Sequence, residues 1–189
     1  MKNKEMDFYR LILDVCRVIN STLDVKEVLK LLSENVVKAL DAKACTIFLW
    51  NRGQDTLEVS ASYGLSEAYL KKGRLYADDN LKECTADKSV LIFDAITDPR
   101  TQYPEEAKRE GIASIFSVPI CAKGTTLGVL RVYLSKAREF TENESEFIHG
   151  LAEMGGIAID NARMYRHLKG EHDSLMMAAH QWFEFGRTE

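Results

Sequence analysis

The segment 44–50, Ala-Cys-Thr-Ile-Phe-Leu-Trp, decides how the rest of the chain folds. Its apolar residues occupy both odd and even positions, so a strand formed by this segment has two apolar faces. Such a strand is typical of the centre of a sheet that is covered on both sides. We expect helices to cover one face and a pocket to occupy the other.

Two amphipathic helices are predicted before this strand. Residues 6–20 carry apolar side chains at three-and-four spacing, and turn-forming residues follow at 20–24. A second apolar stripe runs from Val25 to Leu40, and Asp24 with Glu27 reads as a variant capping box at its start.

The rest of the chain alternates between strands and short helices. Further strands are predicted at 56–63, 90–93, 114–121 and 126–135. Further helices are predicted at 67–71, from Pro104, and from Thr141, where Thr-Glu-Asn-Glu forms a capping box. The polar stretch 72–88 has weak periodicity, and loops of this kind often carry function. Antiparallel hairpins with segregated helices indicate an α+β domain.

The amino-acid composition and net charge exclude several classes of protein. The 189 residues are 46% apolar and 29% charged, which suits one compact domain. The net charge of −4 argues against a nucleic-acid surface, which needs a basic stripe. No apolar run approaches the ~18 residues of a membrane span, and the first residues lack the apolar region of a signal peptide. We therefore expect a cytoplasmic protein without nucleic-acid or membrane partners.

The cysteines and histidines show no metal-binding or redox pattern. Cys16, Cys45, Cys84 and Cys121 form no CxxC pair, so the sequence predicts four inert thiols and no metal site. The histidines all fall in the C-terminal helical region, mostly on its solvated faces. No nucleophile elbow, phosphate-binding glycine loop or carboxylate pair supported by histidine is present.

Taken in order, several segments of the chain resemble the GAF family of small-molecule sensor domains. They are 44–50, 111–120, 127–134 and, on the last helix, 157–163. The resemblance covers roughly 25–165 and rests on the order and spacing of these segments. It implies a GAF/PAS-like (profilin-like) fold, a six-stranded antiparallel sheet with the N- and C-terminal helices on one face. On the other face it implies a roof, 63–88 and 94–111, above a ligand pocket.

Arg131 is the strongest clue to that pocket. It lies in the middle of an apolar strand, on the same face as Val129 and Tyr133, and a charge there needs a partner. One interpretation is a counter-charge for an anionic ligand, because a guanidinium presents a planar fork to carboxylate or phosphate. The alternatives are a salt bridge to Asp94 or to a glutamate of the roof, and extension to solvent at a sheet edge.

The resemblance also implies a set of ligand-binding positions. They are Thr46, Phe48, Trp50, Tyr63, Asp94, Arg100, Phe116, Arg131 and Tyr133. For Asp94 and Arg100 a role in fixing their loop is an open alternative. The Asn-Lys…Phe…Asp-Glu signature of cyclic-nucleotide-binding GAF domains is incomplete in 134–140, and Cys84 lacks the surroundings of a bilin or haem attachment site. The expected ligand is therefore a small anion bound non-covalently, with no cofactor.

The ends of the chain predict a partner helix. We divide the chain into an N-terminal helix at 1–23, a GAF domain at 24–165 and a helical extension at 166–189. A heptad seam runs from Leu151 through Leu168 and Leu175 to Trp182, which predicts a homodimer. No effector domain follows, so we expect a partner in trans or a fragment of a longer protein.

Two alternatives to a sensor remain open. The first is a degenerate GAF scaffold used for dimerisation or protein binding. The second is a thiol enzyme similar to the free methionine-(R)-sulfoxide reductase of the same superfamily. That chemistry needs a reactive thiolate with a second cysteine in reach, and the predicted roof offers Cys84 alone.

Overall fold

A computed structural model describes residues 2–22, 24–77, 84 and 88–185, without the side chains of 2–7, 20 and 178–185. Its helices are α1 (Lys2–Ser21), α2 (Val25–Leu40), α3 (Glu67–Leu70), α4 (Pro104–Glu110) and α5 (Glu142–Phe185). Its strands are β1 (Ala44–Asn51), β2 (Thr56–Tyr63), β3 (Leu75–Tyr76), β4 (Val90–Ile92), β5 (Ser114–Ala122) and β6 (Thr125–Leu134).

The strands form one six-stranded antiparallel sheet in the order β3-β2-β1-β6-β5-β4. This confirms the predicted α+β class and places β1 and β6 at the centre. The periodicity of the sequence missed β3, a two-residue strand in the polar stretch, where Leu75 pairs with Leu57 of β2. Two residues are too few for a strand pattern to be visible in the sequence.

Alternate residues of β1 face opposite sides of the sheet. Cys45 and Ile47 pack with Leu32 of α2 and Leu151 of α5, in the core that we call the helix-side core. Phe8 of α1 stacks on Phe147 of α5 with 4.3 Å between ring centroids. The first, second and last helices therefore cover the same face, as predicted, and the roof covers the other face.

The start of α5 is fixed by the predicted capping box. The Glu144 amide donates to Thr141 Oγ1 at 3.3 Å, and the Thr141 amide donates to Glu144 Oε2 at 3.1 Å. Arg138 adds an ion pair of 2.7 Å to the same carboxylate. These bonds satisfy amides that the first turn of a helix leaves without partners.

The helix α5 runs without a break through the predicted boundary between 165 and 166. Leu151 and Ala158 are buried in the helix-side core, so the first part of the heptad seam packs within the domain. Leu168 and Leu175 are 62% and 71% exposed. The side chain of Trp182, the last member of the predicted seam, lies outside the described residues.

Within the part of the chain that the structure describes, no helix combines the length and the hydropathy that a membrane crossing requires.

Close packing of α5 on the sheet depends on a glycine. A Cβ atom at Gly156 would lie 2.0 Å from the Cys121 carbonyl oxygen of β5, so any side chain would push the helix off the strand. At Gly150, on the same helix, a Cβ atom would meet nothing within 4 Å. Alanine substitutions at these two glycines therefore distinguish the packing role of Gly156 from the general effect of helix propensity.

We predict that Gly156→Ala lowers the free energy of unfolding by about 1–3 kcal/mol, because overpacking displaces helix or strand. The matched control Gly150→Ala should raise it by up to about 1 kcal/mol, since alanine is the better helix former. Urea unfolding measures both. Equal effects of the two substitutions would contradict the close approach of α5 to β5.

Candidate functional site

The floor of the site is the roof-facing side of β1 and β6. Thr46 pairs with Arg131, and Phe48 pairs with Val129, in the antiparallel register of the two strands. Directly paired residues share a face. Tyr133, two residues beyond Arg131, is on this face as well and packs on Tyr69 of α3, with ring centroids 6.0 Å apart.

Arg131 is buried in the floor, with 8% of its surface exposed. Its Nε donates to Ser117 Oγ at 3.1 Å, and its guanidinium carbon lies 5.7 Å from the centroid of the Phe48 ring. It forms no ion pair with any residue that the structure describes. The guanidinium is therefore a buried cation without a carboxylate partner among the described residues.

Two of the structural alternatives for Arg131, extension to solvent and a salt bridge to Asp94, do not match this geometry, whereas Glu83 of the roof lies outside the described residues. Because β6 is central, Arg131 is far from a sheet edge and does not extend to solvent. Asp94 is exposed and turns back on its own loop, where it accepts bonds from the Ile96 amide and the Thr97 hydroxyl. These bonds, the Thr97 hydroxyl first, lower the pKa of Asp94. These bonds hold Asp94 to its own loop.

Two buried hydroxyls near Arg131 have no hydrogen-bond partner among the described residues. They belong to Tyr133, which is 0% exposed, and to Thr101. Burial raises the pKa of Tyr133, so its phenol stays protonated and remains a donor. Unpartnered buried hydroxyls are costly, and a bound molecule that accepts hydrogen bonds removes that cost.

A small cavity lies between this floor and the roof. Its volume is about 20 Å³, enough for roughly one water molecule. Its lining comprises Tyr69, Lys72, Leu75, Ile92, Arg100, Thr101, Gln102, Tyr103, Ile115 and Arg131. The cavity joins residues of α3, the loops beside it and the central strands.

Lys72 brings a second cation to this cavity. Its Nζ lies 3.8 Å from the centroid of the Tyr69 ring and 5.7 Å from that of Tyr103, and it donates to the Tyr69 carbonyl oxygen at 3.2 Å. Burial, followed by the neighbouring charge of Arg131, lowers the pKa of Lys72 to about 8. A bound anion would favour the charged amine.

Hydrogen bonds hold the two halves of the roof together. Gln102 pairs with the backbone of Tyr76 through both its amide oxygen, at 3.2 Å, and its amide nitrogen, at 2.8 Å. The Tyr103 hydroxyl donates to the Arg74 carbonyl oxygen at 2.7 Å. Glu110 accepts a bond from the Ser66 amide at 3.0 Å. We call these three contacts the roof ties.

Several predicted positions do lie on the roof-facing side. Thr46 is buried, and its hydroxyl is 2.8 Å from Ser62 Oγ. Trp50 does not line the cavity, and its indole donates to Asp55. It packs against an apolar group that we call the Phe48 cluster, formed by Phe48, Leu57, Leu75, Cys84, Val90 and Val129. Arg100 lines the cavity and donates to the Leu91 carbonyl oxygen. It also forms an ion pair with Asp98, and its hydrogen bond lowers the pKa of that carboxyl group.

Two predicted site residues lie on the opposite face of the sheet. Phe116 stacks on Phe140 in the helix-side core with 4.7 Å between centroids, because its neighbour Ser117 is the residue that faces Arg131. Tyr63 pairs with Cys45, which also faces the helices. Neither residue can contact a ligand at Arg131.

A β-bulge explains the error at Tyr63. The pairing of β1 with β2 shifts between Ile47 and Phe48, so residues of β2 on either side of the shift face opposite ways. Leu57 joins the Phe48 cluster, whereas Tyr63 faces the helices although both positions are odd. Local periodicity does not reveal such a shift.

Sequence reasoning also missed the roof residues Tyr69, Lys72 and Tyr103. The single signal was the location of Lys72 at the start of the polar stretch, which was expected to carry function. Their convergence on Arg131 depends on how the roof folds back over the sheet.

The sequence model of the GAF domain family matches residues 22–160 of this chain. The chain belongs to the GAF family. The GAF domain of a phosphoenolpyruvate-protein phosphotransferase from Coxiella burnetii has the same fold, with a TM-score of 0.75 and 23% identity. That likeness covers 86% of this chain and 98% of the solved one.

Two curated proteins are similar to this GAF domain in sequence. The methyl sulfide methyltransferase-associated sensor of Methanosarcina acetivorans is 29% identical over 158 residues, which cover 80% of this chain and 16% of that protein. The formate hydrogenlyase transcriptional activator of Salmonella typhimurium is 21% identical over 172 residues, 87% of this chain and 25% of that protein. The chain thus spans a quarter or less of these relatives, and is a GAF domain of the kind found in sensor and regulatory proteins.

Cys84, the roof thiol of this GAF domain, is packed among apolar residues. It is fully buried with Phe48, Leu75 and Val129. Burial raises its pKa to about 12. A nucleophilic cysteine needs the opposite environment, one that lowers the pKa and admits substrate. Among the described residues, no cluster of histidine, cysteine and carboxylate side chains has an arrangement suited to a metal ion.

We predict that Cys84 resists alkylation in the native protein. At pH 8 its thiolate fraction is roughly a thousandfold lower than that of an unperturbed thiol, and its burial blocks access. Iodoacetamide labelling followed by peptide mass spectrometry, with the half-buried Cys16 as internal reference, measures the rate. Labelling of Cys84 as fast in native as in denatured protein would favour the thiol-enzyme alternative.

Proposed function

We propose that this GAF domain is a non-catalytic sensor module that binds a small anion non-covalently beneath the roof and signals through its terminal helices as a homodimer. The observation that supports the site is the buried guanidinium of Arg131, which has no carboxylate partner among the described residues. A buried charge without a counter-ion is unfavourable by several kcal/mol. An anionic ligand supplies the missing charge.

The neighbours of Arg131 support the same conclusion. Lys72 lines the cavity with it, and the hydroxyl of Tyr133 is available as a donor. Charge-assisted hydrogen bonds to a carboxylate or phosphate are among the stronger interactions available in proteins. Similarity to a sensor and to a transcriptional activator is consistent with a regulatory role, although both relatives are several times longer than this chain.

The second candidate is a scaffold without a ligand, used for dimerisation or protein binding. The observation in its favour is the small volume of the cavity, about 20 Å³. A scaffold and a sensor differ in one measurable respect, because a scaffold gains no stability from any anion. Substitution of Arg131 therefore distinguishes them.

The proposed dimer follows from the part of α5 beyond the domain. Residues 163–185 continue the helix for roughly 35 Å at about 1.5 Å per residue. The end of α1 reaches only the level of Ala162, where Ile19 and Thr22 pack beside it. Because α1 does not cover Leu168 or Leu175, we propose that a second copy of α5 packs against them as a parallel coiled coil.

We predict that Arg131→Met keeps or raises the melting temperature of the ligand-free protein, because it removes an unpaired buried charge, but loses on the order of 2–4 kcal/mol of anion binding. Methionine keeps most of the apolar stem and removes the charged fork. Thermal shift with a panel of carboxylates and inorganic phosphate, and with any anion that native mass spectrometry finds in the purified protein, measures the effect. The matched control is Arg52→Met, because exposed Arg52 also lies over a ring, that of Trp50.

Two results would count against the anion site. Equal stabilisation of wild type and Arg131→Met by every anion would remove Arg131 from ligand binding. A large loss of stability of the variant without ligand would assign Arg131 a structural role.

We predict that the wild type sediments as a dimer at micromolar concentration and that Leu168→Asp with Leu175→Asp shifts it to monomer. Charged side chains in a coiled-coil seam are costly to bury, whereas they cost little on an exposed helix. Analytical ultracentrifugation measures the change. The matched control is Arg163→Asp with Arg166→Asp on the same exposed part of α5, outside the predicted row and the positions that flank it. A monomeric wild type would exclude the proposed dimer.

A further inference from the structure

We propose that the ligand of the Arg131 site is a short monocarboxylate, of the size of formate or acetate, held between Arg131 and Lys72 with the roof closed. This inference rests on the anion site proposed above and specifies its ligand class. Three observations lead to it: the free edge of the guanidinium, the balance of charges around Lys72 and the size of the enclosed space.

The guanidinium of Arg131 presents one edge to a ligand. Its Nε donates to Ser117 Oγ, the Tyr133 hydroxyl also interacts with the guanidinium, and no described carboxylate bonds to the two terminal Nη atoms. The terminal edge of a guanidinium donates two parallel bonds that match the two oxygens of a carboxylate. Arg131 is thus oriented for end-on binding of a planar anion.

The charges around the cavity favour a monoanion. Arg131 of β6 and Lys72 are the cations, and Glu106 and Glu110 of α4 act on Lys72 with the opposite sign. Glu110 is also 3.9 Å from Lys43 and accepts bonds from Ser66. With two carboxylates already acting on Lys72, the site lacks the positive charge that a dianion requires.

The other groups that face Lys72 are neutral rings. Tyr69 and Tyr103 lie beside its Nζ, and burial keeps the Tyr69 phenol protonated by raising its pKa. Arg100 lines the same cavity but is paired with Asp98. The charge of Lys72 therefore depends on its burial first, and then on Arg131, the two α4 glutamates and the ligand.

The enclosed space limits the ligand's length. The cavity has room for about one water molecule, so formate or acetate fits with small side-chain adjustments and longer chains do not. Enlarging it requires separation of the roof ties, which join the loop at 73–77 and α3 to the segment at 100–111. Gly73 marks how tight this contact is, because a Cβ atom there would lie 2.5 Å from the Tyr103 hydroxyl oxygen.

The test is an NMR titration of the full chain with sodium formate, acetate, propionate, butyrate and succinate at constant ionic strength and pH 7. We expect formate or acetate to bind most tightly, with a loss of about tenfold for each further methylene. Arg131→Met should weaken binding by at least about thirtyfold, and Lys72→Met by about tenfold. The matched control Lys71→Met should bind like the wild type, because Lys71 is exposed and paired with Glu67.

A second variant tests the role of the roof. Tyr103→Phe keeps the ring beside Lys72 and removes the hydrogen bond to the Arg74 carbonyl oxygen. If the closed roof sets the size limit, this variant should gain affinity for propionate and butyrate relative to acetate. An unchanged size profile would contradict that part of the inference.

The outcomes separate the inference from the function on which it rests. Arg131-dependent binding of succinate or butyrate as tight as that of acetate would overturn the short monocarboxylate and leave the anion sensor standing. Binding of no anion in an Arg131-dependent way would overturn both.

Discussion

The pairing of β1 with β6 is the constraint on which both halves of the protein depend. One side of this pair supplies Cys45 and Ile47 to the helix-side core. The other side carries Thr46, Phe48 and Arg131 to the roof. A Cβ atom at Gly128 of β6 would lie 2.0 Å from the Phe48 carbonyl oxygen, so the two backbones meet closely at this point. Stability and ligand recognition therefore share the same two strands.

Arg131 shows how this arrangement supports function. A cation in the middle of a central strand is unfavourable for an isolated domain, because burial removes its hydration. The surrounding fold does not neutralise it with a described carboxylate, and it positions Ser117, Lys72 and an unpartnered Tyr133 hydroxyl nearby. Such a site is stabilised when an anion enters, so binding and local order are coupled.

The same strands contact the helix that leaves the domain. Ser117, which bonds to Arg131, lies on β5, and β5 meets α5 where Gly156 packs on the Cys121 carbonyl. The helix then continues as one piece to Phe185. The strand β5 and this continuous helix link the proposed ligand to the exposed part of α5, which gives the proposed signal a physical route.

Local patterns in the sequence were sufficient for most of the fold. Apolar strand patterns predicted every strand except the two-residue β3, and the Thr141–Glu144 capping box located the start of α5. Period-two alternation placed Thr46, Phe48, Arg131 and Tyr133 on the faces that the structure shows, because the residues of one strand alternate strictly. The family was visible in the order of these segments.

The tertiary structure decided which way the neighbouring strands face and which roof residues lie over the sheet. The register of β5 turned Phe116 toward the helices, and the bulge beside Ile47 did the same for Tyr63. Pairing between distant segments sets both features, so no local pattern encodes them. Lys72, Tyr69 and Tyr103 approach Arg131 only after the roof folds over the sheet. The sequence alone determined the sheet and the position of its buried charge, whereas the groups around that charge depend on contacts between residues far apart in the chain.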